Sequence, residues 1–426
     1  MRLQHRLAGG ITATLLALGA GIAGATPSSE TGPMGFTPID GSAGYADGTD
    51  GTWDPTAPWN IPDGFTQELV SGELADRCGG TGLDVYGGGL DDWEDMNTVN
   101  ETGRRAGRYL YRTHEVRLSN PGADPVYPAG GAVSVVDLQT CAARVIAQDP
   151  TWTALDGIRW TPWGTVLFAE ETDNGRLFEL VLDPDDPMSG SVLERPAVGL
   201  LAHEGIEIGN DGSVYVVDEF RGQTSGFGGG VYRFVPDRRG DLSSGELYAL
   251  AVDGVDGVGQ GAWVGPIDPA TARVSGTAAG GTGYQRPEDL ERIGDVLYVA
   301  VTEGLGYDGR VLAVDLSSLE VSDFVKPGAN VAVEVNGVQS GLDNPDNLAE
   351  GPDHRLWVVE DNVPSDIWVA QGRGGRASSV DLFASLTDPG AEGTGIYFGK
   401  DPRNLFVNVQ HSAAADGDGT WAITAG

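Results

Sequence analysis

The sequence predicts an all-β fold: a single β-propeller of six blades, with long inserted loops and an N-terminal extension. Three observations predict it. A short apolar run closing on polar or acidic residues recurs along the chain, its copies fall near the period of a propeller blade, and acids recur at one place just ahead of those runs.

The recurring run appears as RYLYRTHE to Glu115, GTVLFAEE to Glu171, GSVYVVDE to Glu219, GDVLYVAVTE to Glu303, HRLWVVEDN around Glu360 and Asp361, and RNLFVNVQH to His411. The ends are separated by 56, 48, 84, about 57 and about 51 residues. The long third interval holds GAWVGPIDPATARVSGTAAGG, whose small residues and prolines read as an inserted loop. Residues 26–105 are rich in Gly, Asp, Thr and Pro and read as a leader with long loops, able to supply a closing strand. The predicted division is a signal peptide over 1–25, the extension over 26–105 and a catalytic propeller over 106–426.

A second phrase precedes the run: LDGIRW from Leu155, HEGIEI from His203, PEDLERI from Pro287, PDNLAE from Pro345 and EGTGIYF from Glu392. Asp156, Glu204 and Asp346 each stand eleven residues before the centre of the following run, and Glu288 ten. In a propeller the innermost strand of every blade starts beside the axis, so these positions predict a ring of Asp156, Glu204, Glu288, Asp346 and Glu392. Carboxylates crowded in a partly dehydrated channel repel one another and either take up protons or bind cations. All-oxygen ligation suits calcium and tolerates ferric iron, whereas zinc favours His or Cys. The competing reading is that the acids decorate turns. His114, His203 and His411 touch the same phrases and read as hydrogen-bonded partners orienting a neighbouring carboxylate, with direct metal ligation as the alternative; His354 reads as a turn residue. Arg286, two residues before Glu288, places a guanidinium where it could clamp a phosphate or carboxylate, or pair with an acid of the ring.

The formal net charge of −36 argues against nucleic acid or anionic membranes as partners. Lysine occurs only at Lys326 and Lys400. Arg2 and Arg6 ahead of the apolar run Ile11 to Ile22, followed by Ala23-Gly24-Ala25, read as a secretory signal, so the mature chain is expected to be secreted or periplasmic, without membrane insertion, and a monomer. Cys78 and Cys141 are the only cysteines and suit one disulfide in an exported protein. No GxSxG, Walker or HExxH pattern occurs, and SGFGGG at 225–230 lacks the strand-to-helix setting of a dinucleotide site.

TPWGTVLFAEET (161–172), HEGIEI (203–208), RPEDLE (286–291), NPDNLAEGPDHRLWVVEDN (344–362), AEGTGIYFGKDPRNLFVNVQH (391–411) and GDGTWAIT (417–424) together resemble the PhoX-type alkaline phosphatases, exported propeller phosphomonoesterases. The resemblance implies a cofactor of ferric iron and calcium on the axis. It implies that Glu204 and Glu288 bind iron, that Arg286 contacts phosphate, and that Glu171, Asn344, Asp346, Glu360 and Glu392 lie near calcium. The sequence departs from the family twice. Asp156 stands where members carry an iron-binding cysteine, and Arg2 and Arg6 are not the adjacent pair of a twin-arginine signal.

The function expected is therefore a metal-dependent phosphomonoesterase acting on small phosphate esters, with Arg286 and Glu288 catalytic and Asp156, Glu171, Glu204, Glu288, Asn344, Asp346, Glu360 and Glu392 holding metal. Two alternatives share the oxygen-lined axis: a calcium-dependent propeller lactonase or esterase, and a non-catalytic binding propeller stabilised by calcium.

Overall fold

The computed structural model describes residues 32–43, 53–118, 127–222, 229–303, 308–334, 340–372 and 374–426. The signal segment lies outside them. Within them the chain is built of antiparallel strands with one α-helix, Ala272–Ala278, and two short 3-10 turns. No helix among the described residues is long and apolar enough to cross a membrane.

The strands arrange as a propeller. One four-stranded meander runs Glu94–Val99, Tyr109–His114, Ala132–Asp137, Ala143–Gln148, and a second runs Leu155–Trp160, Val166–Glu170, Leu177–Leu182, Gly190–Glu194. The strands Pro345–Glu350, Leu356–Glu360, Asp366–Gln371 and Ser379–Leu386 form another sheet, to whose outer edge Trp59–Asn60 adds. The last sheet holds Glu392–Phe398, Asn404–Gln410 and Gly419–Ala425, and is completed by Phe65–Gly72 from near the other end of the chain. First strands pack on first strands around the axis, from Glu94–Val99 through Leu155–Trp160, Ile206–Ile208, Gln285–Ile293 and Pro345–Glu350 to Glu392–Phe398, which returns to Glu94–Val99. Between sheets the core is apolar and aromatic: Tyr111, Trp152, Phe168 and Phe178 fill one wedge, and Phe36, Trp357, Phe383 and Trp421 another.

Among the described residues the hydrogen-bonded sheets number five, because one has nine strands. Its two halves, Ile206–Ile208 to Asp241–Val255 and Gln285–Ile293 to Glu320–Val325, are joined where Val258–Ile267 pairs Gly259 with Val321 and Gln260 with Glu320. The stretch read as an inserted loop is thus largely strand and helix. Its signal was the Asp256-Gly257 turn: both residues have positive φ, 60° and 67°, and close a two-residue hairpin between Val255 and Val258. The boundary at residue 106 also moves, since Glu94–Val99 and Phe65–Gly72, inside the supposed extension, are integral strands. Glu94–Val99 reads EDMNTV and is buried at every position. An axial strand carries polar residues inward, so the usual apolar alternation is missing there. Cys78 and Cys141, with 63 residues between their positions, form the expected disulfide.

Crowding at the axis fixes Gly157. A Cβ at this position would stand 1.7 Å from the Glu204 carbonyl oxygen, a backbone atom that has nowhere to move. Gly157→Ala is expected to lower stability by ~3 kcal/mol or to prevent folding. Urea denaturation followed by tryptophan fluorescence checks this, and a midpoint equal to the parent's would refute the packing argument.

Candidate active site

The same local device positions the axial acids in four of the inner strands. The pairing register slips by one residue between Glu94 and Asn97, Leu155 and Ile158, Pro287 and Leu290, and Pro345 and Leu348. The residues inside these bulges begin with Asp95, Asp156, Glu288 and Asp346. A bulge adds a residue without a ladder partner and re-aims its side chain. Two residues before each acid, Trp93, Ala154, Arg286 and Asn344 take left-handed backbone conformations, with φ of 44°, 46°, 50° and 35°. Such conformations cost energy in residues with a side chain and cluster where geometry serves function. Glu204 comes just ahead of Ile206–Ile208, held where Gly205 N donates to the Glu288 carbonyl at 3.0 Å. Glu392 pairs regularly with Gln410, and the slip in its strand comes later, between Thr394 and Tyr397.

These groups surround a cavity of about 230 Å³ on the axis. Of the residues predicted from sequence, Asp156, Glu171, Glu204, Arg286, Asp346 and Glu392 line it. Glu288 is buried beside them, and carboxylate oxygens of Glu204, Glu288 and Asp346 lie within 4.8 Å of one another. Asn344 and Glu360 do not line it. Asn344 occupies the left-handed position equivalent to Arg286, and its carbonyl accepts from Asp361 N at 3.0 Å. Glu360 turns away from the axis and accepts from Asp343 N at 2.5 Å and Trp368 Nε1 at 2.7 Å.

A second tier at the mouth was partly overlooked. Glu115, Glu171, Glu219 and Asp361 each follow the second strand of a sheet, and each backbone N donates to the residue two before an axial acid: Trp93, Ala154, Ala202 and Asn344. In this register the fourth of these residues is Asp361, not the Glu360 that the family resemblance implies; the two are neighbours, and one residue in a strand reverses the side-chain direction. Asp95 falls in the segment read as loop; His411 ends the last copy of the repeated run and lines the cavity with Gln410 beside it, and Arg117 joins the lining with no counterpart in the repeat. His411 packs against Trp93 with ring centroids 4.6 Å apart. His114 is hydrogen-bonded, but to a backbone carbonyl and a hydroxyl rather than to the expected carboxylate: Nδ1 lies 2.8 Å from the Asp92 carbonyl and Nε2 2.9 Å from Ser134 Oγ. His203 Nε2 meets the Gly199 carbonyl at 2.9 Å, and His354 sits in a turn beside Glu350.

Two arginines stand among the acids. Arg286 holds Glu219 through Nε, has Nη2 3.0 Å from Glu288 Oε1 and Nη1 3.6 Å from Asp361 Oδ2. Arg117 binds Glu115 and lies 3.1 Å from Glu171. They do not balance the site. Burial, reinforced by neighbouring carboxylates, holds Asp95, Asp156, Glu171 and Glu204 well above the usual carboxylate range. Asp346 and Glu392 are raised in the same way by burial. Asp156 Oδ1 and Glu288 Oε2 are buried with no hydrogen-bond donor, and Glu288 Oε1 has only the ion pair with Arg286. Oxygens in that state fit a bound cation, which would supply the missing partner. At the far end the axis is closed by Arg159, paired with Glu207 and 3.0 Å from Glu291. These three come three positions after Asp156, Glu204 and Glu288.

The family whose model matches the chain is alkaline phosphatase PhoX, over residues 175–413, more than half of its length. The chain belongs to the PhoX alkaline phosphatase family. Among solved structures, PhoX from Pseudomonas fluorescens in complex with vanadate, a transition state analogue, superposes with a TM-score of 0.62 at 18% identity, covering 92% of this chain and 98% of that one. At that identity the likeness is one of fold. The PQQ-bound aldose sugar dehydrogenase of Streptomyces coelicolor reaches a TM-score of 0.46 at 13% identity over 86% of this chain and 99% of its own. No curated protein matches significantly.

The buried acids imply that the stability of this PhoX-family chain depends on pH. Burial raises Glu288 to about 7, against the opposing pull of Glu204 and Arg286. The unfolded group titrates near ~4.3. Between these values the cation-free fold holds a proton that the unfolded chain has lost, so stability falls as pH rises through that window. Melting of EDTA-treated protein is expected to drop from about pH 5 to about pH 8, and added calcium to restore it at the upper end. A melting temperature that rises over this range without metal would contradict the assignment.

Proposed function

We propose that the protein is an exported, metal-dependent phosphomonoesterase that hydrolyses small phosphate esters at the axial cavity. The observation carrying this reading is Arg286, held by Glu219 and facing a set of buried carboxylates whose oxygens lack donors. A guanidinium beside a cation site suits recognition of a phosphate dianion. The family match and the fold support the phosphatase class.

Glu204, Glu288 and Asp346, with Asp156, are the residues that would hold metal. Calcium or ferric iron bound there would supply Lewis-acid neutralisation of the phosphoryl oxygens. The oxygen-only set fits both hard cations, and Asp156 replaces a soft thiolate by a hard ligand. Arg286 binds two phosphate oxygens through its planar fork, releasing Asp361 and keeping Glu219 as the group that fixes its orientation. In the transition state it neutralises charge developing on those oxygens. Arg117, tied to Glu115 and Glu171, keeps the opposite wall from repelling the incoming anion. The Arg159 cluster seals the far end, so the ester enters and its alcohol leaves by the mouth. In the same reading the nine-stranded sheet is two blades joined at one edge, and the propeller has six.

The test is p-nitrophenyl phosphate turnover on the full chain, with bound metal quantified in the same sample. Arg286→Ala is expected to lower kcat/KM by about 10²- to 10³-fold. Arg286→Lys should recover little, because an ammonium cannot reproduce the fork. Glu288→Gln should lower bound metal and activity together. Lactone hydrolysis, or calcium binding with no phosphate ester turnover under any metal condition, would refute the phosphatase reading.

A further inference from the structure

The chain leading into Glu94–Val99 alternates. Trp93 and Asp95 line the axial cavity, whereas Asp92 and Glu94 do not and meet a different set of acids. Glu73, at the end of the closing strand, is the hub of that set. It forms one triad with Asp84 and Asp92 and another with Asp91 and Asp416, each with carboxylate oxygens within 4.8 Å of one another. These carboxylates come from three separate stretches of chain.

A group of acids alone would prove nothing, but its hub has an unsatisfied oxygen, while Asp92 already accepts from Val85 N at 3.0 and 2.9 Å. Glu73 is only 4% exposed; its Oε2 accepts from Asp418 N at 3.2 Å, while Oε1 has no hydrogen-bond donor. Glu94 is fully buried and neither of its oxygens is hydrogen-bonded, although Arg112 Nη1 lies 3.1 Å from Oε1. Burial, together with Glu94, Asp418, Asp92 and Asp91, drives the Glu73 carboxyl up to about 10. His114, next to Asp92 and Glu94, has both ring nitrogens engaged by oxygen partners and is pushed down to about 3 by burial. It offers neither a positive charge nor a free nitrogen ligand. What remains is an oxygen-only set, reachable from solvent through exposed Asp84 and half-buried Asp91 and Asp416.

We propose that Glu73 centres a second cation site, separate from the axial cavity, which takes a hard divalent ion of the calcium class with Asp92, Asp84, Asp91 and Asp416. Calcium accepts many oxygens in flexible geometry, whereas zinc would want nitrogen or sulfur. The ion would fasten the end of the closing strand to the last hairpin. That junction already carries Glu73 N to the Asp418 carbonyl at 3.4 Å and Trp93 N to Asp418 Oδ2 at 3.1 Å. It stands directly behind Trp93 and His411, so it steadies the rim of the mouth without touching the reacting phosphate.

The experiment is equilibrium dialysis of the metal-stripped full chain against calcium alone, with calcium counted per chain. Glu73→Gln is expected to bind one calcium fewer than the parent and to show a smaller calcium-induced rise in melting temperature. An equal calcium count overturns the proposal. The chain carrying Glu204→Gln and Asp346→Asn should keep a calcium that Glu73→Gln then removes, and loss of all calcium binding in it would overturn the separateness of the site. Should Glu73→Gln fail to fold, Asp91→Asn with Asp416→Asn tests the same ligands. Their calcium affinity is expected to fall about tenfold or more, and an unchanged affinity overturns the assignment.

Discussion

Repulsion between carboxylates confined to one axis is the constraint on which the rest of this structure depends. Two unit charges 4 Å apart repel by about 4 kcal/mol at an effective dielectric of 20, and several such pairs share the cavity. The fold does not relieve this with arginines alone: Arg286 and Arg117 each bridge acids of the mouth, yet Asp156 and Glu288 keep oxygens without donors. The scaffold is therefore finished only by protons or by cations. Which of the two is present decides whether the cavity attracts or rejects a phosphate dianion.

The strain needed to assemble the cavity is distributed. Each of four inner strands contributes one left-handed residue and one bulge, so no single strand bears the whole distortion. The far end of the same strands is treated differently. There Arg159 meets Glu207 and Glu291, and opposite charges close the axis where like charges open it. One set of strands thus carries a cation-demanding upper layer and a self-neutralised lower one, separated by three residues of sequence.

The all-β class, the ring of Asp156, Glu204, Glu288, Asp346 and Glu392, and the position of Arg286 were legible because each repeats a phrase whose spacing the fold preserves. The mouth was half legible. Glu171 ends a recurring run, but HRLWVVEDN closes on both Glu360 and Asp361, and an apolar run marks a strand's interior more sharply than the last residue that faces the cavity. Asp95 was hidden for a different reason: EDMNTV is buried through polar side chains that hydrogen-bond across the axis, as when Asn97 Nδ2 donates to Gly395 O at 2.8 Å and to Asn408 Oδ1 at 2.9 Å. Hydrophobic pattern cannot find a strand whose core is polar. Arg117 reaches the cavity by tertiary packing alone.

The pairing of Phe65–Gly72 with Gly419–Ala425 has a temporal consequence. During synthesis the first axial acid, Asp95, leaves the ribosome about 300 residues ahead of Glu392, whose strand completes the ring by packing on Glu94–Val99. Until that moment no intermediate gathers all the carboxylates, so none incurs their repulsion and none offers the complete cation cage. Charge concentration and ring closure therefore arrive together, late in synthesis, rather than accumulating blade by blade.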